Sequence, residues 1–306
     1  MSSILSINNI SKSYGAIRAL NDVSFSVPRG SVFGILGPNG SGKTTLLGIV
    51  MEVLHASSGS FSWDGQPGSS DLRKKIGTLL ETPNFYHYLS GRNNLEIAAA
   101  IKQRGQNDIN RVLETVNLLQ RGNSKFSSYS LGMKQRLAIA SALLGDPEIL
   151  VFDEPTNGLD PAGIAEIREL IKQLNRQGKT IVMASHILDE VEKVCSHVAI
   201  IQKGVLKTTG TVSEVLSGSS SNDNTVLIEV GADDLPSLQS VLNQLPGIIS
   251  AAVLGNTLQL VCTDTLSPEQ INAYCFEKGI TLGLLGLKRK NLEARFLEIT
   301  GNQSDR

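Results

Sequence analysis

The spacing of apolar residues changes along the chain, and each change predicts a different kind of element. Leu5–Asn8 and Val23–Val27 alternate apolar and polar, the period of a half-buried strand, and Pro28-Arg29-Gly30 ends the second with a turn. Ser31–Leu36 is a compact apolar run, suited to a buried parallel strand. It enters a glycine-rich turn, after which Thr44–Leu54 is predicted helical. From Ser90 to about Leu144 the period is helical. Leu95, Ile97, Ala98 and Ile101 share one side of a first helix, and Val112, Leu113, Val116 and Leu119 one side of a second. Met133–Leu144 makes a third, stopped by Gly145-Asp146-Pro147. Alternation then resumes: strand Ile149–Phe152, helix Ala162–Leu174, strand Thr180–Ala184, helix Leu188–Val194, strand Val198–Ile201.

This order predicts an α/β fold with a mostly parallel sheet, interrupted by a helical insertion at about 84–146, within a domain spanning 1–217. Residues 218–224 belong to a Ser/Gly/Asn/Asp run with the composition of a linker. A small α+β domain is expected over 225–306. Its strands are Thr225–Val230, Ile248–Leu254, Thr257–Val261 and Ile280–Leu285, and its helices Leu235–Leu245 and Pro268–Lys278. The order βαββαβ, with a hairpin around Gly255-Asn256, is that of a ferredoxin-like plait. A last helix is predicted over Leu292–Ile299.

Composition narrows the classes. With 41% hydrophobic and 19% charged residues, the chain is that of an ordinary globular protein rather than a disordered one. A net charge of -1 gives no electrostatic footprint for nucleic acid, so none is expected as a partner. No apolar run reaches the ~18 residues of a membrane span. Met1-Ser2-Ser3-Ile4 carries no charged segment leading into an apolar one, so a cytoplasmic protein without signal peptide is expected. Cys195, Cys262 and Cys275 show no CxxC spacing and are read as small buried hydrophobes.

The chemistry concentrates in two segments. Gly37-Pro38-Asn39-Gly40-Ser41-Gly42-Lys43-Thr44 fits G-x-x-x-x-G-K-[ST] between a strand and a helix. Its glycines let consecutive amides point at phosphate oxygens, and the following helix offers its positive end to the same anion. Lys43 is expected to reach the β- and γ-phosphates, and the Thr44 hydroxyl Mg²⁺. Ile149–Phe152 then delivers Asp153 and Glu154 at a strand's carboxyl end, where open α/β sheets bind ligands. Asp153 would hold Mg²⁺ and Glu154 would polarise the attacking water.

With these motifs in place, the chain resembles the ATPases of ABC transporters over about residues 5–210. Tyr129-Ser130-Leu131-Gly132-Met133-Lys134-Gln135-Arg136 is similar to that family's signature segment, and Asn157-Gly158-Leu159-Asp160 to its D-loop. Ser185-His186 resembles its switch histidine, and Tyr14 its adenine-stacking aromatic. The resemblance implies that ATP lies along Gly37 to Thr45 and Tyr14, that His186 meets the γ-phosphate, and that Ser130 and Gly132 come from a facing subunit. It also implies a head-to-tail dimer, most simply of two identical chains. The partner would be a membrane permease that holds the ATPase on the inner face of the cell membrane. ABC ATPases acting on ribosomes or DNA typically carry paired cores, coiled-coil or zinc insertions, which this sequence lacks.

Two departures from the family pattern stand out. Leu131 replaces the usual glycine, and Met133 a frequent glutamine. Glu81 stands where the family has a glutamine touching Mg²⁺ or water, which would place an extra charge near the metal. Glu81–Tyr86, Leu89–Leu95 and Leu292–Gly301 resemble exporter ATPases of the bacitracin-resistance and lantibiotic-immunity type. Export of an antimicrobial peptide, antibiotic or similar amphiphile is thus implied. Phe85, Tyr86, Tyr88 and Leu89 are candidates for touching the permease, with packing of the helical insertion as the alternative.

Overall fold

The computed structural model describes residues 2–80, 85–217, 225–263, 265–288 and 292–300. The chain divides into two compact units, Met1–Val215 with Phe296–Arg306, and Leu216–Arg295.

In the first unit, β1 (Ser3–Tyr14) and β2 (Ile17–Pro28) form an antiparallel hairpin. Its turn begins at Gly15, whose φ of 58° suits a residue without a Cβ. β3 (Val32–Leu36) is buried at every position, as its unbroken apolar run requires. α1 (Lys43–Val50) is shorter than the helix expected over Thr44–Leu54. Glu52 turns left-handed, and the amides of Val53 and Leu54 both bond to Gly48 O, which ends the helix. β4 (Ser58–Trp63), α2 (Ser70–Lys75) and β5 (Ile76–Leu79) follow. The helical insertion holds α3 (Gly91–Lys102), α4 (Ile109–Thr115) and α5 (Leu131–Ala142). Alternation returns with β6 (Ile149–Asp153), α6 (Pro161–Arg176), β7 (Thr180–Ser185), α7 (Leu188–Val194), β8 (His197–Gln202), β9 (Val205–Thr211) and α8 (Val212–Ser217).

The main sheet runs β5-β6-β7-β3-β8-β9, parallel through β8 and closed by antiparallel β9. A second sheet, β2-β1-β4, is antiparallel. One apolar core joins them, with Ile7, Leu20 and Val23 from the second sheet, Ile35, Val151 and Val182 from the first, and Leu46 and Leu47 of α1. Register brings three strand ends together. Leu36 pairs with Ser185, and Ala184 with Asp153, so the carboxyl ends of β3, β7 and β6 lie side by side.

In the second unit, β10 (Thr225–Gly231), α9 (Leu235–Leu242), β11 (Ile248–Leu254), β12 (Thr257–Thr263), α10 (Pro268–Glu277) and β13 (Leu284–Lys288) form an antiparallel sheet of order β11-β12-β10-β13 with its two helices. This is the split βαββαβ plait, with a core of residues such as Ile228, Val230, Leu238, Leu258, Leu260 and Ile271. Its last strand starts later than the expected Ile280–Leu285. Gly279, at φ 76°, ends α10, and Ile280 and Leu282 pack on the core as loop residues. The amide of Gly283 bonds to Gly231 O, and pairing begins only at Leu284. α11 (Leu292–Thr300) completes the described chain.

The three cysteines are free and buried. Among the described residues no helix is long and apolar enough to cross a membrane.

Candidate nucleotide site

The glycine loop connects β3 to α1 and curls under steric compulsion. A Cβ on Gly37 would lie 2.2 Å from Ile201 O and 2.4 Å from Ser41 Oγ. Gly42 sits at φ 106°, where a Cβ would meet Ala19 O at 2.6 Å. No other residue type fits either place. The loop wraps around Lys43, which is 5% exposed and donates from Nζ to Gly37 O at 2.8 Å and Pro38 O at 3.2 Å. No side chain caps α1, so its leading amides are not taken by a capping group. Thr44 lies at the surface of that first turn, and Thr45 is half-buried.

β6 brings the acids to the same edge of the sheet. Asp153 is its buried last residue. Glu154 follows at φ 48°, a left-handed conformation that a side-chained residue adopts at a cost. Its amide bonds to Ala184 O, which fastens the turn to β7. Its carboxylate is held on both sides: Oε1 is 3.4 Å from Lys43 Nζ, and Oε2 is 2.8 Å from His186 Nδ1. His186 leaves the end of β7 just after Ser185, whose Oγ accepts the amide of Ile187. With Nδ1 on Glu154, the imidazole meets any further partner through Nε2. Three residues far apart in sequence thus form one contiguous cation–carboxylate–imidazole row.

The signature and D-loop segments lie next to each other. Ser130 caps α5 and accepts the amide of Met133 at 3.3 Å, while the space around a Cβ on Gly132 is open. Leu131 is half exposed, and its Cδ2 approaches to 3.3 Å of where a Cβ on Gly158 would stand. Asp160 caps α6 by accepting the amide of Gly163 at 3.0 Å. Tyr129 anchors the signature, donating its phenol to Arg121 O at 2.8 Å; burial holds that phenol above its ordinary pKa. Tyr14 is half exposed, with Lys12 Nζ 5.0 Å from its ring centroid. Glu81 lies outside the described residues.

The residues present suit a triphosphate with its cation. The buried hydroxyls of Ser41 and Thr156 have no hydrogen-bond partner among the described residues. Nor, among those residues, does any group of three His, Cys, Asp or Glu gather to hold a metal.

A groove of about 800 Å³ lies beside the helical insertion, lined by residues including Leu80, Phe85, Tyr86, Ile97 and Ile101. The aromatic loop divides in two here. Phe85 packs edge-on to Phe126, whereas Tyr86 and Tyr88 are exposed and lean on each other. Asn94, buried in α3, accepts the amide of Tyr86 and donates to Tyr86 O and Ser90 O. Periodicity alone gives no sign of that clamp, because an asparagine in a helix reads as a surface residue.

Residues 20–157 match the ABC transporter family. An uncharacterized ABC transporter ATP-binding protein, YhcH of Bacillus subtilis, is 36% identical, with 100% of this chain and 98% of the relative aligned. The bacitracin transport ATP-binding protein BcrA of Enterococcus faecalis is 32% identical over 98% of this chain and 97% of its own. The lantibiotic transport ATP-binding protein SrtF of Streptococcus pyogenes is 39% identical, over 66% of this chain and 88% of its own. Among solved structures, cbiO1 from Clostridium perfringens, part of the ABC transporter complex cbiONQ, is similar with a TM-score of 0.65 and 27% identity. It covers 80% of this chain and 97% of its own. A dimeric ATP-binding cassette bound to ADP and Pi is similar at a TM-score of 0.62 and 27% identity, covering 68% and 98%.

Proposed function

Because the chain belongs to the ATP-binding subunits of ABC transporters, we propose that Lys43, Glu154 and His186 carry out its ATPase reaction in the site built from Gly37 to Thr45. The chain is the ATP-binding, ATP-hydrolysing motor of a transporter, and such motors dimerise and work with a membrane permease.

In the reading best supported, the loop amides and the start of α1 take the phosphates. Lys43 Nζ exchanges its carbonyl partners for β- and γ-phosphate oxygens. Glu154 accepts a hydrogen bond from the attacking water and orients it in line with the γ-phosphorus. His186 keeps Glu154 in place through Nδ1 and meets the γ-phosphate through Nε2. Thr44 and Asp153, with Glu81, would hold Mg²⁺, which supplies charge neutralisation on the phosphates. Tyr14 stacks on adenine.

Ser130 and Gly132 of a second copy close the site, with Asp160 at the joint. The γ-phosphate thus decides whether the pair is closed or open. Tyr86 and Tyr88, beside the groove, dock the permease, which holds the motor on the cytoplasmic face of the membrane. The likeness to BcrA and SrtF supports export of a peptide antibiotic or similar amphiphile.

The observation that carries this reading is the Glu154 carboxylate lying between Lys43 and His186. Glu154→Gln keeps the shape and removes the charge. It should bind ATP with unchanged affinity while steady-state turnover falls by at least ~100-fold, whereas Lys43→Ala should lose binding itself. Normal turnover by Glu154→Gln sinks the assignment.

A further inference from the structure

The helices that leave the site on either side are joined by an ion pair between a half-buried guanidinium and a buried carboxylate, which the ATPase chemistry does not use. α6 starts just after Asp160, and α7 starts two residues beyond His186. Between them, Arg168 Nη1 stands 3.5 Å from Glu190 Oε1. Glu190 is 7% exposed, and its second oxygen, Oε2, is buried without a hydrogen-bond partner among the described residues.

Stability does not account for this arrangement. Burying the Glu190 carboxylate costs several kcal/mol, and the loss is recovered only with excellent geometry and full hydrogen bonding. A single contact at 3.5 Å with one orphaned oxygen meets neither condition. What the pair does provide is a directional link. α7 is also pinned to the sheet: Val191 is fully buried, and a Cβ on Gly34 of β3 would lie 2.6 Å from Val191 Cγ1. Held at Val191 by β3 and at Glu190 by Arg168, α7 has its rotation fixed, and with it the turn that carries His186.

We infer that Arg168 and Glu190 are positioning residues for ATP hydrolysis, coupling the helix that follows His186 to the helix capped by Asp160. The inference rests on the roles proposed for His186 and Asp160. A displacement of the His186 turn on meeting the γ-phosphate would pass through Glu190 and Arg168 to the D-loop, which faces the second copy. An apolar contact in the same place could hold the helices together yet let them slide, because only the ion pair specifies orientation.

The test compares Glu190→Gln, Arg168→Gln, the charge-swapped Arg168→Glu/Glu190→Arg, and the apolar pair Arg168→Met/Glu190→Leu, with His186→Ala as control. Each is measured for thermal midpoint, ATP affinity and kcat. The singles and the apolar pair should bind ATP within about 3-fold of the parent and lose about 10- to 100-fold in kcat, the size expected of a misplaced group remote from the chemistry. The swap should recover part of kcat, and the apolar pair should keep its midpoint while remaining slow. A folded Arg168→Met/Glu190→Leu with parental kcat, while His186→Ala is dead, overturns the coupling alone. Parental kcat in His186→Ala overturns the role of His186 and the coupling together. A swap no better than the singles also overturns it.

Discussion

At the residue scale, Glu154 holds its working position at the expense of its backbone. Its φ of 48° is set by the bond from its amide to Ala184 O, and by the short turn that carries it from β6 toward His186. Left-handed backbone costs a side-chained residue roughly 1–2 kcal/mol, a penalty that glycine escapes. Glu154→Gly should therefore be more stable than Glu154→Ala by about 1 kcal/mol, the reverse of the order in ordinary secondary structure, as read from urea midpoints. Both variants lack the carboxylate, so the comparison isolates the strain. Alanine equal to or better than glycine would show that the turn relaxes.

The residues of this site are unevenly legible in the sequence. Gly37, Gly42, Lys43 and the Asp153–Glu154 pair announce themselves, because a phosphate cradle and paired acids at a strand end demand those residue types at that spacing. Contacts between distant segments do not announce themselves. Glu190 and Arg168 look like two charges on amphipathic helices, and Lys12 over Tyr14 looks like a solvated strand residue. Leu131 reads as a loss of backbone freedom; in the fold it is also a neighbour of Gly158. The role of Glu81 rests on the sequence alone.

At the element scale, strong apolar runs such as β3 and β6 are plain in the sequence, whereas β4 and β9 are not. Ser58–Trp63 and Val205–Thr211 are rich in Ser, Thr and Gly because each edges a sheet, where one side of the strand meets no neighbour. Helix ends depend on pairing that sequence hides. Lys102, the last residue of α3, donates to Ser141 O and Ala142 O at the end of α5, a cap supplied from another helix.

Burial, and then the charge of Arg104, lowers the pKa of Lys102 to about 8. In the unfolded chain this amine keeps its proton to about pH 10.4. Between those values the unfolded state binds more protons, so stability should rise with pH through the window. Lys102→Met should flatten that rise, measured as the difference in urea midpoint between the variant and the parent at the two ends of the window. A parallel pH dependence in the two proteins would remove Lys102 from the account.

At the scale of the whole molecule, each unit has its own core, with residues such as Leu5, Ile35 and Ile201 in the first and Ile228 and Cys275 in the second. The plait is legible because its hairpin turn, helix starts and alternating strands agree locally. The exposed Tyr86 and Tyr88 place an aromatic pair on the first unit that nothing in the described chain covers. On the proposed docking role, Tyr86→Ser/Tyr88→Ser should leave ATPase activity of the isolated chain unchanged and abolish co-purification with the permease. Undiminished co-purification would return both tyrosines to the role of surface residues.

The order of the main sheet has a consequence for how the protein is made. β3 and β6 are not neighbours; β7 separates them, although it comes later in the chain than both. A ribosome therefore releases the phosphate loop and then the two acids before the strand that sets their spacing exists. Until Thr180–Ser185 has emerged and threaded between them, the growing polypeptide has no row of Lys43, Glu154 and His186 to assemble. Sheet closure through a late central strand is a slow, non-local event. It also means that no chain ending before His186 holds that row, so assembly of the site waits for β7.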